Sequence, residues 1–394
     1  MNIVLFDTAN RSKLYPLTLT RAVASLRTGI LTIKELWEHY TKAHVFVYTP
    51  AYLSPLYDEI PLGDTLFIDG SILPDKQFVQ TVKSLAIGEA LTDDIGLVAG
   101  RVELDAVPAF GDPPQQLFSI HRTIDAPPRL NSPSQLFQNN ESMIRAHFEI
   151  ICKGRITVPV PETVQVIKPA NVFIEEGAQL DFCTLNASAG PIYIGKDALI
   201  MEGSNIRGPF AMGEGAVLKM GSKIYGGTTL GPYCVGGGEI KNSILMGYSN
   251  KAHDGYLGDS VIGEWCNLGA GTSNSNIKNT ATEVKVWDYH TLSYIPSGLK
   301  CGLIMGDYSR TAINTSINTG TVIGVCCNVF GEGLTPKLVP DFSWGTKGLS
   351  RYEFDKAVQD IMNWKRMKNK SLCEAKVKVL KHIFEHNNLP HEKI

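Results

Sequence analysis

Lys223, Lys241, His253, Tyr256, Asn267 and Asn276 fall in one stretch of the 394-residue chain. An imidazole titrates near neutrality and suits a general base, an effect worth roughly 10²–10⁴-fold in rate. Lysine offers a fixed cation, and asparagine can hydrogen-bond hydroxyls. Each residue also has an ordinary reading. A lone loop histidine is usually solvated, and asparagine tolerates the left-handed conformation of tight corners. A second set lies near the N-terminus, where Arg11, Lys13, Arg21 and Arg27 gather positive charge in a chain of net charge −2. They form a local anion site or a merely solvated basic loop. Asp69 closes the apolar run Leu66–Ile68 and precedes Gly70, which by itself reads as a turn.

The elements that must position these residues have an unusual period. Ile194, Ile200, Ile206, Met212, Leu218, Ile224 and Leu230 stand six apart. Neither a helix of period 3.6 nor an alternating strand keeps that beat. Two residues before each stands a second, mostly small residue: Ile192, Ala198, Ser204, Phe210, Ala216, Ser222 and Thr228. Large and small side chains thus point inward from short strands, six residues making one flat side of a parallel β-helix. Gly195, Gly213 and Gly231 follow the large residue, where positive φ at a corner is expected. The beat returns at Ile262, Leu268, Ile317, Ile323 and Val329, after breaks expected to be loops leaving the coil.

Around this solenoid, placed at 163–340, two other regions are expected. Residues 1–155 alternate apolar runs, such as Ile3–Phe6 and Thr65–Ile68, with amphipathic stretches such as Leu31–Tyr40. They predict an α/β layer with a largely parallel sheet, ending in a linking helix over Leu136–Cys152. Within 341–394, Ser350 with Glu353 and Ser371 with Glu374 read as capping boxes of two amphipathic helices that cover the open end of the coil. A charged fraction of 19% and the small net charge give no bulk field for nucleic acid or anionic membrane. MNIVLFD reads as a buried strand rather than a leader, and no run approaches a membrane span. A cytoplasmic protein with reduced core thiols is expected. Cys234, Cys266 and Cys327 fall at or near the small inward position.

Over 163–340 the pattern resembles the left-handed parallel β-helix of hexapeptide acyltransferases. Within it, EIKNSILMGYSNKAHDGYLGDSVIGEWCNLGAGTSNSN (239–276) resembles the acetyltransferase domain of the bifunctional UDP-N-acetylglucosamine pyrophosphorylase/glucosamine-1-phosphate N-acetyltransferase family. That resemblance implies His253 as general base, Lys241 and Tyr256 as holders of a sugar phosphate, and Asn267 and Asn276 as partners of sugar hydroxyls or the thioester. A family arginine falls on Lys223, which keeps charge but loses the bidentate fork, and a family tyrosine falls on Ile277. It further implies acetyl-CoA as co-substrate and a homotrimer with CoA along a groove between coils.

The N-terminus MNIVLFDTANRSKLYPLT resembles the loop LAxGxGTRLxPLT of sugar-1-phosphate nucleotidyltransferases through Lys13 to Thr18, with Gly29 matching a later glycine. Ala9 and Arg11 stand at the glycine positions, Asp7 replaces a small residue, and Ala22 replaces a lysine. The resemblance implies that Arg11, Lys13, Arg21 and Arg27 meet nucleotide phosphates, and that Asp69 holds Mg²⁺, which prefers one or two carboxylates plus phosphate oxygens.

Together these imply acetyl transfer to glucosamine-1-phosphate followed by uridylyl transfer to N-acetylglucosamine-1-phosphate. Two rivals remain open: a nucleotidyltransferase alone, using glucose-1-phosphate with dTTP or UTP and a β-helix serving assembly, and a non-catalytic nucleotide-sugar-binding scaffold. A metal-dependent solenoid hydratase needs three histidine ligands, and only His253 and His290 lie in the coil.

Overall fold

The computed structural model describes residues 1–110, 114–346 and 350–386. The rest of the expected 341–394 segment, 347–349 and 387–394, lies outside them. The head is built on β1 (Asn2–Phe6), β2 (Val45–Tyr48), β3 (Gly63–Asp69), β4 (Glu89–Thr92), β5 (Leu97–Leu104) and β6 (Ile120–Thr123), in the order β2-β1-β3-β5-β4-β6. Helices α1 (Ile33–Thr41) and α2 (Lys76–Lys83) flank it. The sheet is mixed rather than largely parallel. Only β2, β1 and β3 form a parallel run, β5 lies antiparallel to both β3 and β4, and β6 is parallel to β4. Helices α1 and α2 follow β1 and β3, whereas β4 and β5 are joined by the short turn 93–96, which permits their antiparallel pairing. Thr32 and Glu35 form a capping box on α1, one that the sequence reading had passed over.

In the solenoid the beat becomes geometry. Ile192 pairs with Phe210 and Phe210 with Thr228, so one coil takes eighteen residues, three hexapeptides. The inward side chains named above are all buried, and burying each large one contributes about 1.5–3 kcal/mol. Cys234, Cys266 and Cys327 are buried free thiols in the same core.

Gly195, Gly213 and Gly231 do not have positive φ. They answer to close approach instead: a Cβ on Gly231 would lie 1.9 Å from the Met246 carbonyl oxygen. The break after Leu230 is also not a loop. Thr229 pairs with Ile244 and Ser243 with Ser260, so these coils shorten to fifteen and seventeen residues without leaving the stack. A true excursion follows, because Val261 next pairs with Ile304. It carries a hairpin of Lys285–Asp288 with Ser293–Pro296.

Helix α3 (Ser134–Cys152) joins head to coil. Its Asn140, fully buried, accepts from Gly29 N at 3.0 Å and donates to Gly227 O at 2.6 Å. Gly29 is required there, with φ +62 and a Cβ position 2.7 Å from the Met143 backbone. Two turns onward along the helix, His147 Nδ1 accepts from Ile30 N at 3.2 Å and Leu31 N at 3.3 Å.

Burial lowers that imidazole to about 3, with Arg27 and His39 adding to the effect. An unfolded histidine titrates near 6.5, so between these values the unfolded chain binds more protons and stability is lost as pH falls from about 6.5 toward 3. Urea unfolding of the wild type is expected to lose about 2 kcal/mol more between pH 7 and pH 5 than that of His147→Gln. Equal losses would contradict this assignment.

The outer side chains Ile244, Met246, Val261, Ile304, Val322 and Leu338 share one apolar cluster with head residues such as Leu14, Leu17 and Trp37. The head therefore sits on a flat side of the coil. Helices α4 (Phe354–Arg366) and α5 (Glu374–His386) do not cover the coil's end. They lie along its flank, packing Ala357, Ile361, Val379 and Leu380 against Trp265, Tyr308 and Phe342 of the coil and Leu19 and Leu53 of the head. Neither predicted capping box opens them. Ser350 sits in a strand pair with Trp344, and Glu353 caps α4 without a side-chain bond. α5 begins at Glu374 itself, with the Cys373 carbonyl accepting from Lys376 N and Val377 N.

Candidate functional site

Strand alternation places Lys223 and Tyr225 on the outside of one coil, with Ile224 inside. Register then sets Glu239 beside Lys223 and Tyr256 beside Glu239. Lys241 is the next outward residue after Glu239, and its Nζ lies 5.9 Å from the centre of the Tyr225 ring. Lys223, Lys241 and Tyr256 thus share one outer face. Asn276 joins them, donating to Tyr256 Oη at 3.0 Å and to Asp259 Oδ2 at 2.5 Å, while Asn242 donates to Asp259 Oδ1 at 2.6 Å. Burial, helped by Asp259 and Glu239, pushes the Tyr256 hydroxyl up to about 12. It therefore stays a neutral donor at physiological pH.

His253 stands at the corner where the chain turns onto this face, and its ring is exposed. Asn267 lies on the adjoining flat side, accepting from Asn250 Nδ2 at 3.3 Å and bridging the coils of Asn250 and Arg310. It is not part of the Tyr256 network. The corner histidine stands between the two groups.

Arg207 had not been singled out. The beat that turns Ile206 inward turns Asn205 and Arg207 outward, and Arg207 lines a groove of about 340 Å³ with Asn186, Asn205, Lys223 and Tyr225. It carries the guanidinium that Lys223 lacks, one coil away.

At the head, a cleft of about 280 Å³ opens beyond the carboxyl ends of β1 and β3, where parallel strands usually present a ligand site. Asp7, Thr8, Ala9, Asn10 and Asp69 line it, with Tyr48 and Phe110 as apolar walls. The arginines of the basic loop point elsewhere. Arg11 bonds Asp7 at 3.2 Å and donates to the Tyr15 hydroxyl at 2.9 Å. Arg21 pairs with Asp307 of the coil and stands 3.4 Å from Glu264, and Arg27 donates to the Met246 carbonyl at 3.2 Å. All three are buried; Arg11 is held within the head, while Arg21 and Arg27 fasten the loop to the coil. Lys13 is half-buried.

Asp7, at the position of a small family residue, accepts from Arg11, Thr49 Oγ1 and Val23 N. Burial pushes its carboxyl up while Arg11 pulls it back. Asp69 is likewise raised by burial; its Oδ1 accepts from Ser71 N and Oγ, and its Oδ2 lies 3.6 Å from Arg129 Nε. Arg129 also reaches Asp93 at 2.9 Å. A metal ion at Asp69 would therefore have to displace Arg129. Neither Asp7 nor Arg129 could have been assigned these roles from spacing alone, since Thr49 and Val23 reach Asp7, and Asp69 and Asp93 reach Arg129, only in the folded chain.

Comparison with known proteins matches the head to a described family. Residues 3–156 match the family described as sugar nucleotidyl transferase. A bifunctional protein GlmU of Methanocaldococcus jannaschii is 38% identical over 89 residues, 23% of this chain and 21% of that protein. A bifunctional sugar-1-phosphate nucleotidylyltransferase/acetyltransferase of Sulfurisphaera tokodaii is 40% identical over 93 residues, 23% of each chain. This chain is similar to such bifunctional proteins over those segments, and it spans about a fifth of the length of the curated relatives it matches. Among solved structures, the polySia-specific acetyltransferase NeuO overlaps 48% of this chain and 85% of its own at 12% identity, with a TM-score of 0.23. A score that low carries no argument. No helix among the described residues is long and apolar enough to cross a membrane.

Proposed function

We propose that the solenoid transfers acetyl from acetyl-CoA to the amine of glucosamine-1-phosphate, and that the head joins N-acetylglucosamine-1-phosphate to the uridylyl group of UTP. The observation that supports this reading is the exposed His253 at the edge of a face shared by Lys223, Lys241 and Tyr256. The amine nitrogen attacks the thioester carbonyl, the carbon–sulfur bond breaks, and CoA leaves as a thiol. His253 accepts the proton the amine must lose, and an exposed imidazole can pass it to solvent. Lys241, Lys223 and Arg207 offer charge for the phosphate, Tyr256 and Asn276 offer donors for hydroxyls, and Asn267 offers an amide near the adjoining side, where the thioester would lie. A homotrimer, flat side against flat side, would enclose CoA between coils. A cytoplasmic location goes with these soluble substrates.

In the head, a phosphate oxygen of the sugar phosphate attacks the α-phosphorus of UTP and pyrophosphate leaves. Asp69 is the carboxylate that would hold Mg²⁺ once Arg129 is displaced, and the ion would supply charge neutralisation on the triphosphate. Lys13 is the cation of the altered loop that is only half-buried, and Arg11, Arg21 and Arg27 would act on phosphate only through the loop they brace. That commitment of the arginines favours a second reading, in which the head binds a nucleotide-sugar without turning it over.

Thiol and pyrophosphate release, measured separately on a panel of amino-sugar and sugar phosphates with UTP and dTTP, test these readings. Lys13→Ala is expected to lower pyrophosphate release about tenfold, one missing charged hydrogen bond, and to leave thiol release unchanged. Nucleotide binding with no pyrophosphate in the wild type would establish the scaffold reading instead. Pyrophosphate from glucose-1-phosphate without any thiol release would establish a nucleotidyltransferase alone.

A further inference from the structure

One inward column of the coil takes a lysine among aliphatic residues. Register places Leu180, Ile200, Leu218, Gly236 and Lys251 in a single inward column. Leu268 follows one coil on, its N donating to the Asn250 carbonyl. Lys251 is 1% exposed, among the largest fully buried side chains of the protein. Gly236, directly beneath it, contributes no side chain to the column.

Burying an ammonium is costly unless its protons are bonded, and a leucine would fill the position without that cost. Lys251 Nζ donates to the Gly237 carbonyl at 3.4 Å and to the His253 carbonyl. Burial lowers its ammonium to about 8, with Asp254 acting in the opposite direction. Both acceptors are backbone atoms of adjacent corners, and one is the backbone of His253 itself. Elsewhere in the bend Asp254 O accepts from Gly271 N and Gly255 O from Glu239 N, both at 3.1 Å, and Tyr256 N donates to Ser273 Oγ at 3.1 Å, but none of these holds the His253 carbonyl. Gly255 takes φ +119, close against the Thr272 carbonyl, and the His253 ring is exposed. A core that accepts a buried charge against its own packing interest does so for a reason outside stability.

We infer that Lys251 is a positioning residue, an internal anchor whose ammonium grips the carbonyls of Gly237 and His253 and so sets the direction in which the His253 imidazole leaves the corner. This rests on the acetyl-transfer reading for its catalytic consequence but not for its structural one. Lys251 never meets a substrate, since the wall of the coil lies between.

The test compares wild type with Lys251→Met, which keeps the chain length and removes the donor, and with Lys251→Gln, which restores one donor. Lys251→Met is expected to fold with an unchanged or higher thermal midpoint, since an apolar side chain suits the column. Its kcat for thiol release should fall at least tenfold, with the KM values for acetyl-CoA and glucosamine-1-phosphate within about twofold of wild type, and Lys251→Gln should fall between. Independently of activity, amide hydrogen exchange over 252–256 should accelerate at least tenfold in Lys251→Met while the coil of Ile206–Leu218 stays protected. Unchanged exchange in that segment would overturn the anchor. A wild type without thiol release, but with the expected exchange difference, would overturn the acetyl-transfer reading and leave the anchor standing.

Discussion

His253→Ala is expected to lower thiol release from acetyl-CoA and glucosamine-1-phosphate by roughly 10²–10⁴-fold, the usual contribution of a general base. Pyrophosphate release should be unchanged, because the head cleft is lined by residues of the first 115 positions only. The fold should be unaffected, since the ring is exposed and such surface substitutions usually shift stability by less than about 0.5 kcal/mol. A substrate amine presented already deprotonated, at pH 9, should recover part of the lost rate in the variant. Thiol release at the wild-type rate would remove His253 as base and leave the outer face as a binding surface alone.

The second large effect concerns the seam between head and coil. Asp307→Ala should destabilise the protein by about 3–5 kcal/mol, the cost of leaving a buried charge uncompensated. Asp307 is fully buried and serves several donors: Arg21, the Thr20 hydroxyl at 2.6 Å and the Glu264 amide at 2.8 Å. Its removal strands the Arg21 guanidinium, which is itself buried and whose nearest remaining carboxylate is Glu264 at 3.4 Å. Chemical denaturation should show the loss, and limited proteolysis should cut first between head and coil. Replacing both partners with apolar residues of similar volume should return much of the stability. A single variant as stable as wild type would show that water reaches this seam.

The beat of six made the coil legible because it needs no information beyond one chain position and the next. What failed were inferences that depended on distant residues. The glycines after the large inward residues were assigned to positive φ, whereas Gly231 answers to the Met246 carbonyl fifteen residues later, a crowding that no local pattern announces. Arg21 looked like a phosphate ligand because its partner stands 286 positions away in sequence. A separation of 278 positions hid Ser12, which contacts His290 Nδ1 at 2.8 Å from the hairpin excursion. Tyr256 and Asn276, from one short segment, share a hydrogen bond, and Asn242 and Asp259 join their network through the register. Asn267, read with them, belongs to the next side because a corner at Trp265, with φ +59, intervenes. Capping boxes misled for a related reason: Ser350 has the right neighbours for a helix, but strand pairing with the final coil claims it first.

Because Arg21, Arg27, Ser12 and Asn140 pin the head to the coil at separate points, the two halves cannot swing toward one another. A compound released at the corner histidine could not be ferried by a moving arm. It would enter the bulk solution and compete with every other molecule there for the head cleft, so the flux from one half to the other would follow its concentration in the cell.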